Sequence, residues 1–530
     1  MTSMLNSFDE VCPEFCSDGA NSMALNFVVA LALVCAASSI SPGEVLLRIH
    51  NPSGFISPAY PFTVGVPFPR GALKPDAKIT LRDADGNQVP VQAMVTASWD
   101  KGSSSVRWLL LDFVMSLQPG GATLALQTKK TPVSVVPLGD LATKTADSIL
   151  LDTGRVKLEV SRKGFNLFEQ VWTDLNNNHK YESDEAVLDT DALRGPFLRN
   201  DKGKKFWAVR DPKAEIKLEE NGQVKAVVMA KGFYTAADGA RFCQFIVRIT
   251  VHRDMPWVRT DQTFVYTEDS DKGNTITGLG CRLPLRDPAR EYVLGTVDGE
   301  PLKGLCTPET VSLYQRDHDW FQLARYDGTK PLGVLREGKR GTGRISVRTG
   351  SARITAGVED FWQQFPKELS ADSGGLTVHF WPSHGEKHPR WKLPENAFEK
   401  LDENTLTKML YPLHWVHEGP ALSFKLPVEI SRFGDRSSGT FRNIKRGRPA
   451  NGMGVGKTHR VYFDFGHKDT APPACPLDVG QQPYAHPDPE QIYASRVAGA
   501  LWPRDPERFA AAERVLDGLG KWMASLPHKL

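Results

Sequence analysis

Short runs of alternating hydrophobic and polar residues dominate most of the chain. Successive side chains of a strand point to opposite faces, so this period-two pattern predicts strands with one buried face. Residues 45–135 contain several such runs, including SVRWLLLDFVMSL, which is apolar enough for a strand buried on both faces. The Asp85-Gly86 pair between two runs predicts a hairpin turn. We therefore predict a small all-β domain over residues 45–135.

The alternation resumes after a linker-like stretch and continues through residues 146–445. Runs such as QVKAVVMAKGFY and RFCQFIVRITVHRDMPWVRTDQTFVY predict long antiparallel strands with polar outer faces. This region is expected to form a central β-sandwich. Residues 446–487 are interpreted as a junction loop and strand that follow the sandwich. The fold class expected from the pattern is mainly β.

The pattern changes to a helical period in residues 488–530. Asp488-Pro489-Glu490 and Asp505-Pro506-Glu507 each combine an N-cap residue, a proline at the first helical position and an acid. Apolar residues recur at helical spacing after the second of these motifs. The sequence therefore predicts two C-terminal helices.

Residues 1–44 are interpreted as an upstream extension and a signal peptide that starts at Met23. The apolar core of about 11 residues is too short to span a bilayer, which takes about 20. Small residues follow it, as in a secretory signal, although no basic residue precedes it. A buried helix or an anchor is the alternative, and Val34 argues against lipidation at Cys35. The protein is expected to be secreted or periplasmic, without a stable membrane span, and to begin between Ala37 and Pro42.

Composition narrows the functional class. Lys and Arg total 65 and Asp and Glu total 62 in 530 residues, giving a net charge of +3. A nucleic-acid-binding protein would concentrate basic residues, so this class is disfavoured. None of the seven cysteines has CxxC spacing, which disfavours a zinc site, and sequence alone assigns no disulfide.

The segment NGMGVGKTH resembles the end of a phosphate-binding loop, but a nucleotide site is rejected. The first position of the GxxxxGK[ST] motif is Asn451, and an apolar strand pattern follows where a helix is required. The glycines permit a tight backbone path that presents Lys457 and His459 at the mouth of a strand. A substrate-facing loop and a purely structural turn both remain open.

The segment HFWPSHGEKHPRW concentrates aromatic and cationic residues suited to an acidic sugar. Aromatic rings stack on sugar faces, while Arg and Lys pair with carboxylates. A solvated loop and a metal site are the alternatives, although no HExxH spacing is present. The candidates here and in the nearby segment YPLHWVHEGP are Trp381, His384, Lys387, His388, Arg390, Trp391 and His417.

The segment TDLNNNHKYESDE has the oxygen spacing of a calcium loop. Side chains at positions 1, 3, 5, 9 and 12, with a backbone carbonyl at position 7, supply the six to eight oxygens that Ca²⁺ prefers. His179 occupies the usual glycine position, so a polar turn without metal is the alternative. The predicted ligands of a structural calcium ion are Asp174, Asn176, Asn178, Lys180, Glu182 and Glu185.

Four segments together resemble a known family. PFTVGVPFPRGAL, VRWLLLDF, LHWVHEGPALSFKLP and GMGVGKTH are similar to exo-rhamnogalacturonan lyases of polysaccharide lyase family 26, over roughly residues 45–525. The resemblance implies an N-terminal RIFT barrel, a central β-sandwich and a C-terminal α/α toroid. Residues 488–530 supply far fewer helices than a toroid needs, so we interpret them as the remnant of a truncated toroid.

The activity implied by this resemblance is β-elimination on rhamnogalacturonan or a related uronic-acid glycan. A cation neutralises the carboxylate, a base removes the α-proton and an acid protonates the leaving oxygen. The candidates for these catalytic roles are Lys457, His459, His384 and Arg390. The expected partner is an acidic polysaccharide or oligosaccharide, with no nucleic acid. The alternative is a non-catalytic carbohydrate-binding protein derived from such a lyase.

Overall fold

The fold is taken from a computed structural model that describes most of the chain after residue 43. The described residues are 44–102, 104–129, 138–176, 178, 180–268, 275–297, 299–328, 330–382, 416–418, 421–423, 453–472, 476–478, 482–499, 502 and 504–525. Of the predicted upstream extension and signal peptide, residues 1–44, only Glu44 lies within these ranges.

The N-terminal domain consists of two small antiparallel sheets packed around one hydrophobic core. Its strands are β1 (Glu44–His50), β2 (Ser57–Pro67), β3 (Lys78–Arg82), β4 (Gln88–Val89), β5 (Val91–Ser98), β6 (Val106–Leu117) and β7 (Ala122–Lys129). One sheet has the order β2-β6-β5, and β1-β7-β3-β4 runs through the other. The predicted hairpin at Asp85-Gly86 is confirmed between β3 and β4, where Gly86 has a φ of +84°. Strand β6, predicted to be buried, lies in the middle of its sheet.

A four-stranded sheet follows and packs into the core of the next domain. Its strands are β8 (Ala142–Lys144), β9 (Ser148–Asp152), β10 (Val156–Ser161) and β11 (Gln170–Thr173), in the order β11-β10-β9-β8. Two phenylalanines just before β11 fix its position. Phe165 stacks on Phe245 with ring centroids 5.6 Å apart, and Phe168 meets Phe463 edge-on at 5.7 Å.

The remaining strands form the large β-sandwich that the alternation predicted. They are β12 (Gly195–Asn200), β13 (Lys205–Trp207), β14 (Glu215–Glu220), β15 (Lys225–Thr235), β16 (Arg241–His252), β17 (Trp257–Val265), β18 (Ile276–Pro284), β19 (Glu291–Thr296), β20 (Leu302–Leu305), β21 (Thr310–Asp317), β22 (Trp320–Asp327), β23 (Lys330–Gly338), β24 (Gly341–Arg348), β25 (Ala352–Val358), β26 (Lys367–Asp372), β27 (Gly375–Trp381), β28 (Val416–Glu418), β29 (Ala421–Ser423) and β30 (Gly456–His467).

These strands pair into two antiparallel layers. The first layer has the order β14-β15-β16-β17-β30-β25-β24-β19-β20. The second has the order β13-β12-β18-β27-β26-β21-β22-β23. Apolar side chains of both layers share one buried core, which includes Val247 and Phe463 from the first layer and Val378 from the second.

Strand β30 has a different place from the one the sequence indicated. Residues 446–487 were interpreted as a junction after the sandwich, but β30 lies inside the first layer, between β17 and β25. The last strand, β31 (Tyr484–Pro487), leaves the sandwich and pairs with β1 of the N-terminal domain. Long-range pairing of this kind is decided by tertiary packing, which a single sequence does not display.

The described C-terminal segment contains the two predicted helices, α1 (Pro489–Ser495) and α2 (Ala510–Ser525). The Asp488 side chain caps α1 by accepting a hydrogen bond from the Glu490 backbone N–H. Helix α2 begins at Ala510 and not at Pro506, the predicted first helical position. In the turn before α2, Asp505 accepts a hydrogen bond from the Arg508 backbone N–H at 2.9 Å. No described helix is both long and apolar enough to cross a membrane.

Polar contacts join the N-terminal domain to the sandwich. Lys225 Nζ lies 3.1 Å from an oxygen of Asp112, whose side chain is almost completely buried. Gln92 donates a hydrogen bond of 2.7 Å to Glu220. Because β31 also returns to β1, the barrel and the sandwich are held together through both side chains and main chain.

Candidate active site

The candidate site lies where β30 begins, at one end of the sandwich. In the pairing of β30 with the end of β17, Lys457 lies opposite Phe264 and His459 lies opposite Gln262. Lys457 and His459 are two residues apart on one strand, so their side chains share a face. The sequence placed these residues in a glycine-shaped loop, whereas the structure places them in a strand.

The glycines before Lys457 still shape the backbone there. Gly454 has a φ of +89°, which side chains rarely tolerate, and it lies just outside the strand. A Cβ on Gly456 would come within 2.9 Å of the Phe264 carbonyl oxygen. The glycines therefore allow β30 to lie close to β17. The strand predicted after the motif is confirmed.

His459 is buried between the two layers and contacts a lysine from the opposite one. His459 is only 4% exposed. Its Nδ1 lies 3.1 Å from Nζ of Lys367, the first residue of β26. The Phe380 ring from β27 stacks on the imidazole with centroids 4.5 Å apart and an interplanar angle of 2°. Phe264 is nearly parallel to the imidazole, at 6.4 Å.

The two lysines and the histidine form a cationic cluster whose members disfavour one another's charge. Burial, followed by the charge of Lys457, lowers the pKa of Lys367 well below its usual range. Burial and then the charges of Lys367 and Lys457 do the same to the pKa of His459. Burial also lowers the pKa of Lys457, and the nearby carboxylate of Asp360 opposes this for both lysines. A carboxylate that enters beside Lys457, the least buried of the three, would favour the charged form of that amine.

Sequence reasoning found Lys457 and His459 but missed Lys367, Phe380 and Asp360. Lys367 is the first residue of β26, and no motif surrounds it in the sequence. Its importance comes from the facing layer, which brings β26 opposite β30. Lys367 is only 1% exposed, but this burial is known from the folded structure and not from the sequence.

Other predicted substrate-binding residues are not assembled around this cluster in the described part. Trp381 is 8% exposed and belongs to the main core, so it offers little ring surface to a sugar. His417 lies in β28, and its side chain is outside the described set. The remaining candidates fall in residues 383–415, also outside the described ranges: His384, Lys387, His388, Arg390 and Trp391.

A second polar group lies on the opposite face of β26 and β27 from Lys367 and Phe380. Glu368 accepts a hydrogen bond of 2.5 Å from Ser312, and His379 Nε2 lies 3.2 Å from Ser370 Oγ and 3.9 Å from a Glu368 oxygen. Serine and carboxylate therefore approach the same imidazole nitrogen. A nucleophilic triad needs them on opposite nitrogens, so this group lacks that arrangement.

The predicted calcium loop is described except at residues 177 and 179. Asp174 and Asn176 accept hydrogen bonds from the Asn178 backbone N–H, and Glu182 accepts from the side-chain amides of Asn176 and Asn178. Glu185 is 3% exposed and accepts from two backbone N–H groups.

These contacts are those of an Asx-rich turn, the alternative that the sequence left open. Among the described residues, the loop carboxylates are not a group with ligand atoms within 4.8 Å of one another. A calcium ion would have to draw the Glu182 and Glu185 oxygens away from their present donors. The residue types fit calcium, but their present arrangement does not, and calcium binding stays a prediction.

Comparisons with known proteins identify two domains. The PcRGLX-like N-terminal RIFT barrel domain matches residues 56–120, and the PcRGLX-like protein central beta sandwich domain matches residues 141–291. Neither range includes Lys367, Lys457 or His459. No curated protein matches the chain.

Solved structures resemble the chain only distantly. A glycosyl hydrolase family 38 protein from Enterococcus faecalis is 11% identical, with a TM-score of 0.42, covering 81% of this chain and 45% of that one. An alpha-mannosidase from Enterococcus faecalis V583 is 12% identical, with a TM-score of 0.44, covering 84% and 46%. A putative aldose 1-epimerase from Escherichia coli K12 is 12% identical, with a TM-score of 0.26, covering 62% and 99%. The chain thus spans less than half the length of the first two.

The two matched domains follow one another in the order observed in the fold, a β-barrel and then a β-sandwich. This order agrees with the rhamnogalacturonan lyase-like resemblance of the sequence. The chain therefore contains a PcRGLX-like N-terminal RIFT barrel and a PcRGLX-like central β-sandwich.

Proposed function

We propose that the protein is a polysaccharide lyase that cleaves rhamnogalacturonan or a related uronic-acid glycan by β-elimination. The observation that carries the proposal is the cluster of Lys457, His459 and Lys367 at one end of the sandwich. A uronate carboxylate is the substrate group whose charge suits such a cluster. The PcRGLX-like domains support the same class of substrate.

Lys457 is assigned the first contact with the substrate because it is the least buried of the three cationic groups. Its ammonium group pairs with the uronate carboxylate and spreads the charge that develops when the α-proton leaves. The carboxylate in turn favours the charged form of the amine. Binding and activation of the uronate therefore depend on the same contact.

His459 is assigned the role of proton acceptor, with Lys367 as its positioning residue. The lowered pKa of Lys367 favours its neutral amine, which can accept a hydrogen bond from His459 Nδ1–H. The lone pair of the neutral imidazole is then on Nε2, the nitrogen available to take a proton. The lowered pKa of His459 keeps it in this neutral form near pH 7.

The test is incubation of the purified protein with rhamnogalacturonan. β-Elimination leaves an unsaturated uronate that absorbs in the ultraviolet, and the proposal expects this absorbance to grow with time. Carboxyl-reduced rhamnogalacturonan is the matched control and should give no signal, because it lacks the charge that Lys457 neutralises. Absence of unsaturated product from the native polysaccharide and its oligosaccharides would refute lyase activity.

A non-catalytic carbohydrate-binding protein is the second candidate. The observation that favours it is burial, because His459 is only 4% exposed and therefore has little access to a sugar. This candidate expects binding of the acidic oligosaccharide without turnover. Calorimetry beside the absorbance assay separates it from the lyase.

We also propose export of the protein, on the basis of the sequence after Met23. An extracellular polysaccharide can be reached only outside the cytoplasm. N-terminal sequencing of the protein from its native cells should find a start between Ala37 and Pro42, and a cytosolic protein that keeps Met23 would refute export.

A further inference from the structure

Two histidines meet where β31, the last described strand, pairs with β1, the first described strand. The Nε2 atoms of His50 on β1 and His486 on β31 lie 2.9 Å apart, and their ring centroids are 4.9 Å apart. In the register, His50 lies opposite Tyr484, and Arg48 lies opposite His486. The two histidines are therefore diagonal neighbours on one face of the sheet.

The hydrogen bonding of His486 determines which of its nitrogens has the free lone pair. Its Nδ1 lies 2.8 Å from the Pro487 carbonyl oxygen. A carbonyl only accepts hydrogen bonds, so Nδ1 carries the proton and donates it. In the neutral ring the lone pair is then on Nε2, the atom that faces His50. Fixing one imidazole nitrogen on a backbone carbonyl is how proteins orient a metal-ligating histidine.

We propose that His50 and His486 form a site for a divalent transition-metal ion, Cu²⁺ or Ni²⁺, that ties β31 to β1. In the metal-free protein, neutral His50 donates its Nε2–H to the Nε2 lone pair of His486. On metal binding, His50 changes to its other neutral tautomer, in which the proton is on Nδ1, so no net proton is released. Each ring then turns to direct its Nε2 lone pair at the ion. Water completes the coordination on the solvent side, since His50 is exposed.

The distance between the nitrogens selects the class of metal. With metal–nitrogen bonds of about 2.0–2.1 Å, two nitrogens 2.9 Å apart subtend an angle of about 90° at the ion. This angle suits adjacent positions of a square-planar or tetragonal ion, the geometry of Cu²⁺ and Ni²⁺. Tetrahedral Zn²⁺ needs a wider angle, and Mg²⁺ and Ca²⁺ prefer oxygen ligands.

The charges around His50 and His486 do not oppose the binding of a cation. Arg48 is engaged by Asp488, which accepts its hydrogen bonds at 3.1 and 2.7 Å. Its positive charge is therefore balanced beside the site. The Tyr484 ring stacks on His50 at 5.0 Å and supports one side of the pair.

A rival group of possible ligands elsewhere in the molecule supplies the matched control. Asp317, His318 and Asp319 have ligand atoms within 4.8 Å of one another in the turn between β21 and β22. His318 Nδ1 is already 2.6 Å from Asp317, so this group is occupied internally. Replacing His318 removes one histidine without touching the proposed site.

The experiment measures the melting temperature of the full chain with increasing NiCl₂. An ion bound only to the native state raises the melting temperature with concentration. The wild type and His318→Gln should show equal increases, whereas His50→Gln and His486→Gln should lose the increase. Each increase is measured from the melting temperature of the same protein without metal, and MgCl₂ should have no effect on any of the four.

Electron paramagnetic resonance with one equivalent of Cu²⁺ checks the ligands directly. The wild-type spectrum should show coupling to two imidazole nitrogens, and each single variant should lose one of them. The proposal is overturned if both single variants keep the full nickel-dependent increase, or if the wild type shows no increase at millimolar nickel. A copper spectrum unchanged in the double variant would also overturn it.

Discussion

Replacing Lys457 with alanine separates a substrate contact from a structural role. Lys457 is partly buried, and burial lowers the pKa of its ammonium group, so the fold itself disfavours this charge. Removing it also relieves its repulsion of Lys367 and His459. The substitution does remove the attraction of Asp360, but burial outweighs this attraction in its effect on the Lys457 pKa. We therefore expect the free energy of unfolding to change by less than about 1 kcal/mol.

The effect on binding should be much larger. A hydrogen bond to a charged group contributes about 1.5–3 kcal/mol. At about 1.4 kcal/mol for each factor of ten, its loss weakens affinity for an acidic oligosaccharide by about 12- to 140-fold. Calorimetry with a rhamnogalacturonan oligosaccharide measures the affinity, and urea unfolding measures the stability of the same preparations.

Thr458→Ala is the matched control because it changes the adjacent residue on the opposite face of β30. Thr458 is exposed and lies 2.7 Å from Thr263, away from the cluster. It should keep the wild-type affinity. The reasoning is refuted if Lys457→Ala binds as tightly as Thr458→Ala, or if it unfolds several degrees lower and keeps its affinity for the sugar.

Three further predictions concern stability. Burial lowers the pKa of His252 to about 3, so the unfolded chain binds the extra proton between pH 6.5 and 3, and stability falls as the pH falls through this window. Between pH 7 and 4.5, the free energy of unfolding measured in urea should therefore fall by about 3 kcal/mol less for His252→Gln than for the wild type. Equal decreases in the two proteins would contradict the assignment. Asp464→Asn should lower the free energy of unfolding by about 3–5 kcal/mol at pH 7, because it leaves the buried guanidinium of Arg353 without its counter-charge. A decrease of less than about 1 kcal/mol would contradict this. If the loop from Asp174 to Glu185 binds calcium, millimolar Ca²⁺ should raise the melting temperature relative to chelator, and an unchanged curve would rule out a useful site.

Local rules predicted the parts of the fold that depend on neighbouring residues. The hairpin at Asp85-Gly86 and the cap at Asp488 follow from backbone geometry within a few residues, and both are present. The alternating runs predicted the β-sandwich because one face of each strand must be buried. These features need no knowledge of the rest of the chain.

Features that depend on distant residues were not predictable from the sequence. Strand β30 enters the first layer next to β17, about 200 residues earlier in the chain, and periodicity does not encode that pairing. Lys367 is a candidate because its amine contacts His459 across the core, and the sequence does not show this contact. The oxygen spacing after Asp174 fits calcium, yet the described side chains hydrogen-bond among themselves instead.

The most direct test of the proposed site is a crystal structure of the full chain with a rhamnogalacturonan oligosaccharide. The account predicts a uronate carboxylate oxygen about 2.7–2.9 Å from Lys457 Nζ, the range of a charge-assisted hydrogen bond. The α-carbon of that sugar should face His459. An oligosaccharide bound on another surface, with Lys457 in contact only with protein, would contradict it.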